Sequence, residues 1–203
     1  MPRRIIARTR TSLQSEPAAL VPFLRKSALT DHSRVFEGTL KVHYGQAYLL
    51  PPDENNASVL GELGACFRGQ NNGLCGAVAP YSMFLVTGTH TGIVGFTLDI
   101  LAAAPPLDDT WEEIVEVSFL VGAHGFVIED WDGDRVATAA PPAGSYRARY
   151  CARGMDQGHD NDEGDLVDFY SLAIWPAPPA PDAVLKQTSE SAKYWHAAAP
   201  EKL

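Results

Sequence analysis

The sequence is short of several things. It has three cysteines in 203 residues, Cys66, Cys75 and Cys151. An odd, scattered set is no disulfide framework and fits a reducing compartment; a Cys66–Cys75 bridge stays open as the minor alternative. No apolar run approaches the roughly 18–20 residues that a membrane helix needs. The opening MPRRIIARTRTSLQ has arginines but lacks the apolar segment of a secretory signal, so a cytoplasmic location is the expectation. G-x-S-x-G, G-x-G-x-x-G, Walker A and H-E-x-x-H patterns are missing. The histidines His32, His43, His90, His124, His159 and His196 show no zinc-ligand spacing. No cofactor is expected, and the reading is of a non-enzymatic protein. An enzyme whose site assembles from distant residues stays open, because fold does not fix function.

Positive charge is also scarce over most of the chain. No Lys or Arg lies between Arg68 and Arg135, a stretch with ten acids, and the gap from Arg153 to Lys186 holds seven more. Residues 1–41 carry eight basic and three acidic side chains, whereas the remaining 162 carry eight basic and 22 acidic. The body should therefore repel nucleic acid at its phosphates and attract a basic protein. The plainer reading is that a net charge of −9 keeps the chain soluble.

What is present is the composition of one soluble domain, 45% hydrophobic and 20% charged. Residues 1–35 read as a basic N-terminal extension broken by Pro17 and Pro22, and residues 36–203 as the folded domain. TLKVHYGQAYLL, from Thr39, alternates as a strand with Leu40, Val42 and Tyr44 on one face. LCGAVAPYSMFLVTGTH is apolar, with Pro80 breaking it. GIVGFTLDIL, TWEEIVEVSFLV and LVDFYSLAIW read as further strands. In PPAGSYRARYCARG, Tyr146, Ala148 and Tyr150 oppose Arg147 and Arg149. GFVIEDWDGDRVATA reads as a hairpin with Asp132-Gly133 in a two-residue type I′ turn. Asp182 is expected to cap a helix, AVLKQTSESAKYW. Seven or eight short strands with one short C-terminal helix predict an all-β fold, an antiparallel β-sandwich.

Two acid-rich stretches invite a functional reading. The first is MDQGHDNDEGDLVDFY. Asp156, Asp160, Asp162, Glu163 and Asp165 supply hard oxygen ligands of the kind Ca²⁺ takes. Counted from Asp160, however, the EF-hand glycine and glutamate positions fall on Asp165 and Leu172, so that pattern fails. A polar loop leading into a strand is the plainer account. The second is the hairpin tip Glu129, Asp130, Asp132 and Asp134, with Trp131 as an aromatic anchor for a partner. Asp108, Asp109, Glu112 and Glu113 are the alternative partner-binding set. Cys151 has a nearby cation, Arg153, that could lower its pKa; a small buried strand residue is the simpler reading.

The pieces LKVHYGQAYLL, GIVGFTLDIL, EEIVEVSFLVGAHGFVIED and PPAGSYRARYCARG, in that order, resemble the ComJ-like competence proteins, small bacterial inhibitors of a secreted or membrane-associated nuclease. The resemblance covers about half the chain and includes no catalytic signature. The basic N-terminus, the loop at 51–72, the acidic loop at 155–168 and the C-terminal helix depart from it and leave the partner open. It implies a protein of immunity or inhibitor type engaging a basic protein, such as a nuclease, through an acidic surface. A Ca²⁺- or carbohydrate-binding β-sandwich using the 155–168 loop is the alternative.

Overall fold

A computed structural model of the chain describes residues 32–52, 63–161 and 164–198. The predicted alternation is realised most clearly on β9 (Gly144–Arg153). Tyr146, Ala148, Tyr150 and Ala152 enter the core, and Arg147 and Arg149 take the opposite face. Around β9 the sheet runs β11 (Ala183–Lys186), β6 (Glu113–Val121), β9, β10 (Phe169–Pro176), β5 (Thr91–Leu101) and β1 (His32–His43). It continues through β2 (Gln46–Leu50) to β4 (Met83–Val86) and β3 (Cys75–Gly76). A branch pairs β2 with β7 (Phe126–Glu129) and β7 with β8 (Arg135–Ala139).

The expectation of an all-β fold holds in its coarse form: the described residues are mostly strand, with three short helices. The expectation of an antiparallel sandwich is corrected. Eleven strands join in one mixed sheet, and the nine-strand path curls into a half-barrel. β10 pairs antiparallel with β9 but parallel with β5. Local alternation carries no information on this point, because strand direction across a sheet is set by the connections. The curl brings Leu49, Leu85 and Ile128 into one apolar cluster with Phe96, Leu98, Val117, Tyr150 and Leu172.

Three further expectations change. The stretch 39–50 is not one strand: Tyr44 and Gly45, at φ 53° and 64°, form the turn from β1 to β2. Two consecutive positive φ angles match a type I′ turn, the kind expected at Asp132-Gly133. At that second place only Gly133 has positive φ. The Gly133 N–H bonds to the Asp130 carbonyl at 3.1 Å, giving a longer tip, Asp130 to Asp134. The C-terminal helix also starts later. Ala183–Lys186 is the edge strand β11, and α3 spans Glu190–Ala198. Ser189 caps α3, its Oγ accepting the Ala192 N–H at 3.1 Å. Asp182 instead accepts the backbone N–H groups of Asn71 and Asn72, each at 2.8 Å.

The outward face of β9 is covered too. Glu116 accepts from Arg149 Nη2 at 2.8 Å and from Arg147 Nη2 at 3.2 Å. The remaining donors of these buried arginines reach the carbonyls of Pro105 and Ala180. Such a cluster is tolerable under cover only because nearly every charge and donor is paired. All three cysteines are free and buried. Burial pushes the Cys151 thiol up to about 12 against the opposing pull of Arg149, so it is the inert strand residue rather than an activated thiol.

Candidate docking surface

The surface begins at the β1–β2 turn. The Gly45 N–H donates to the His90 carbonyl at 2.9 Å, and Thr87 N–H to the Gly45 carbonyl at 2.9 Å. The turn is thereby tied to the β4–β5 connection. It turns Tyr44 outward, 56% exposed, where the sequence pattern had placed it with Leu40 and Val42. From the other side comes the β7–β8 tip, held down by Trp131 N–H on the Lys41 carbonyl at 3.1 Å.

These connections gather four rings. His43 lies 4.2 Å from Tyr44 and 4.8 Å from Trp131, centroid to centroid. His90 lies 5.2 Å from Tyr44 and 5.8 Å from His43. Both histidine Nδ1 atoms converge on Thr91 Oγ1, at 2.7 and 2.8 Å. Trp131 is 43% exposed, so the cluster is an aromatic surface rather than core. Beside it a shallow cleft of about 390 Å³ is lined by Lys41, His43, Thr91, Ile93, Trp131 and Asp132. Asp132 pairs with Lys41 at 2.9 Å. That hydrogen bond, with the fields of Asp130 and Asp134, raises the Lys41 ammonium above its usual range. Asp134 is exposed.

The predicted contact residues divide sharply. Trp131, Asp132 and Asp134 are exposed at the tip. Glu129 is half-buried and paired with Arg135 at 3.5 Å. Asp130 is buried, and its Oδ1 accepts the Asp134 N–H at 3.0 Å. It shapes the tip instead of facing a partner. The alternative set lies elsewhere, packed against β9, β11 and the start of α3. Asp108 is exposed, and hydrogen bonds from the Thr110 hydroxyl and N–H lower its pKa. The Asp109 carbonyl accepts from Lys186 at 2.8 Å. Glu112 accepts the Gly154 N–H at 2.8 Å. Glu113 is fully buried, accepting Ser189 N–H at 2.6 Å and Thr188 N–H at 2.9 Å. Burial raises its pKa despite those bonds. Asp130 and Glu113 are thus both buried, with their carboxylates bonded inside the fold.

The stretch MDQGHDNDEGDLVDFY is divided as well. Asp156, on α2 (Met155–His159), accepts the N–H groups of Ser191 and Glu190 at 2.9 and 3.2 Å. Asp168 is fully buried and accepts Thr89 N–H and Thr89 Oγ1 at 2.9 Å and the Tyr170 hydroxyl at 2.6 Å. Asp160 and Asp165 are exposed; Asp162 and Glu163 lie outside the described residues. No group of three or more His, Cys, Asp or Glu that could hold a metal occurs among the described residues. Also among them, no helix is long and apolar enough to cross a membrane.

Sequence reasoning missed Tyr44 and His90. The usable signal was the Tyr-Gly dipeptide after an alternating run, since glycine marks a tight turn that ejects its neighbour from the strand.

The fold and this surface define a class: a single mixed sheet, curled over one core, presenting an aromatic patch rimmed by carboxylates. No family model matches the chain, and no curated protein matches it. Among solved structures it is similar to ComJ of Bacillus subtilis, an inhibitor of the DNA degrading activity of NucA. The TM-score is 0.50 at 15% identity, over 72% of this chain and 98% of ComJ. The crocagin biosynthetic gene J product aligns at TM-score 0.46 and 11% identity, over 73% of this chain and 100% of that one. At such identity the ComJ likeness concerns the fold alone. It agrees with the resemblance drawn from the order of strands.

Proposed function

We propose that this chain is an inhibitor-type binding protein that engages a basic protein partner, specifically a nuclease, through Trp131, Tyr44, Asp132 and Asp134. The observation that carries the reading is the exposed ring cluster beside the acidic tip. Rigid aromatic side chains on a surface are the commonest energetic anchors of protein interfaces. Carboxylates around them steer a basic partner and set its orientation. A nuclease has to be basic where it grips phosphate, and the fold likeness to ComJ supports that choice of partner.

The test has two stages. Nuclease-treated lysate of the source organism is passed over the immobilised protein, and bound material is eluted by salt. The captured nuclease is then titrated with wild type, W131A and D132N/D134N, with DNA degradation as the readout. The expected result is inhibition by wild type and at least about tenfold weaker binding by W131A, the loss of an interface hot spot. D132N/D134N should bind with a flatter salt dependence. Equal affinity and equal salt slope for all three proteins would remove this surface from the interface.

A further inference from the structure

Further along the outward face of the sheet, one rung crosses four strands: Thr39 on β1, Gly95 on β5, Phe169 on β10 and Arg153 on β9. Gly95 has no side chain, and the Phe169 ring takes that space. A Cβ there would stand 2.4 Å from Phe169 Cδ1. The Arg153 Cζ lies 4.9 Å from the Phe169 ring centroid and 5.4 Å from that of Trp111. The guanidinium is thus stacked on two rings. Its hydrogen-bonding edge contrasts with those of Arg147 and Arg149 on the same strand, which are bonded to Glu116 and to main-chain carbonyls. Among the described residues the Arg153 guanidinium makes no hydrogen bond and no salt bridge within 4.0 Å, although its charge is felt at the Asp108 carboxylate. The nearby Asp108 directs its Oδ1 to the Thr110 N–H and hydroxyl, at 3.0 and 2.7 Å, and acts on Arg153 only through its charge, without a hydrogen bond to the guanidinium. The guanidinium opens on a groove of about 430 Å³ whose walls include Trp111, Leu166, Phe169 and Thr97.

We propose that this groove binds a small apolar monocarboxylate, with its carboxylate on the Arg153 edge and its body against Phe169, Leu166 and Trp111. Ring contacts hold the guanidinium plane by cation–π attraction and shield its faces, and the N–H fork matches a carboxylate bidentately. The volume falls toward the small end of ordinary ligand pockets, which are mostly apolar with a few placed polar groups. Glu37 sits on the rim, engaged by Arg34. Its negative charge disfavours a dianion, so a monocarboxylate fits better than a phosphate ester. The site is distinct from the docking surface, and neither depends on the other.

The experiment is a ¹H–¹⁵N NMR titration of the full chain with 4-phenylbutyrate and, separately, with its neutral amide 4-phenylbutyramide. The acid is expected to produce saturable shifts centred on Thr39, Gly95, Thr97, Phe169 and the Arg153 Nε–H. The amide should bind at least tenfold more weakly. R153Q, a substitution at an exposed position, should keep a dispersed spectrum and abolish the difference between acid and amide. No saturable shift with the acid, shifts centred elsewhere, equal binding of the amide, or an undiminished preference for the acid in R153Q would each overturn the proposal.

Discussion

Residues 155–168 and the tip 129–134 are both acid-rich, and the fold uses them in opposite ways. In the first, Asp156 bonds to the opening N–H groups of α3, and Asp168 is buried under three donors. In the second, Asp132 and Asp134 stay in water beside an exposed tryptophan. The difference is one of supply. A carboxylate near unpaired main-chain donors is drawn into the fold, because a buried N–H without an acceptor is costly. At the tip a single carboxylate, Asp130, satisfies the local main-chain donor; Asp132 takes only the exposed Lys41 ammonium, and Asp134 faces solvent. Acidity counted along a sequence is therefore not acidity available at a surface.

The strongest way to break this comparison is D168A. It strands Thr89 N–H, the Thr89 hydroxyl and Tyr170 OH in a buried site, and should cost about 3–5 kcal/mol in denaturant unfolding. A cost below about 1 kcal/mol would mean that the carboxylate is not structural.

Glu113 comes next, with an expected loss of about 2–3 kcal/mol for E113A. In E113Q one oxygen can still accept from both Thr188 and Ser189, as Oε1 does now. Burial raises the Glu113 pKa in the folded state. Its stabilising term is thus fully present below the unfolded value and is lost as pH rises through the folded one. Melting temperature followed from acid to neutral pH should show E113Q gaining on wild type toward neutral pH. Parallel curves would contradict this.

Asp156 should behave in the reverse sense. Partial burial pushes its pKa up, but hydrogen bonds from Ser191 and Glu190 outweigh that and leave it lowered. Its contribution is present above the unfolded pKa and is lost as pH falls through the folded one. D156A should cost about 1 kcal/mol, the scale of a helix cap, with the difference from wild type vanishing in acid. The smallest stability effect belongs to the tip. W131A/D132N/D134N should leave the melting temperature within about 2 °C while weakening partner binding the most. A large thermal shift would show that the tip is consumed by the fold like segment 155–168.

Strand-forming segments were legible wherever apolar residues alternate, as on β9 and β6, because the two-residue period is a local property. The turn at Tyr44-Gly45 was marked only by its glycine, since the run on either side reads as continuous strand and its break depends on β2 leaving β1 to pair with β4 and β7. The helix start was misplaced because Asp182 is a plausible cap in isolation. It is drawn instead to Asn71 and Asn72, 110 or more positions away. For the candidate site, Trp131, Asp132 and Asp134 were visible as a motif. His43, Tyr44 and His90 became part of it only because Thr91 and the turn bring them together.

By itself the sequence determined that this chain is a β-rich domain with an acidic body and without a recognisable catalytic motif. Composition and periodicity are sums over neighbours and need no partner to be read. Tertiary structure alone decided that the strands form one curled, mixed sheet, which carboxylates face water, and that four rings from three connections share a surface. Those outcomes depend on which distant groups meet, and on which buried donors must be satisfied when they do.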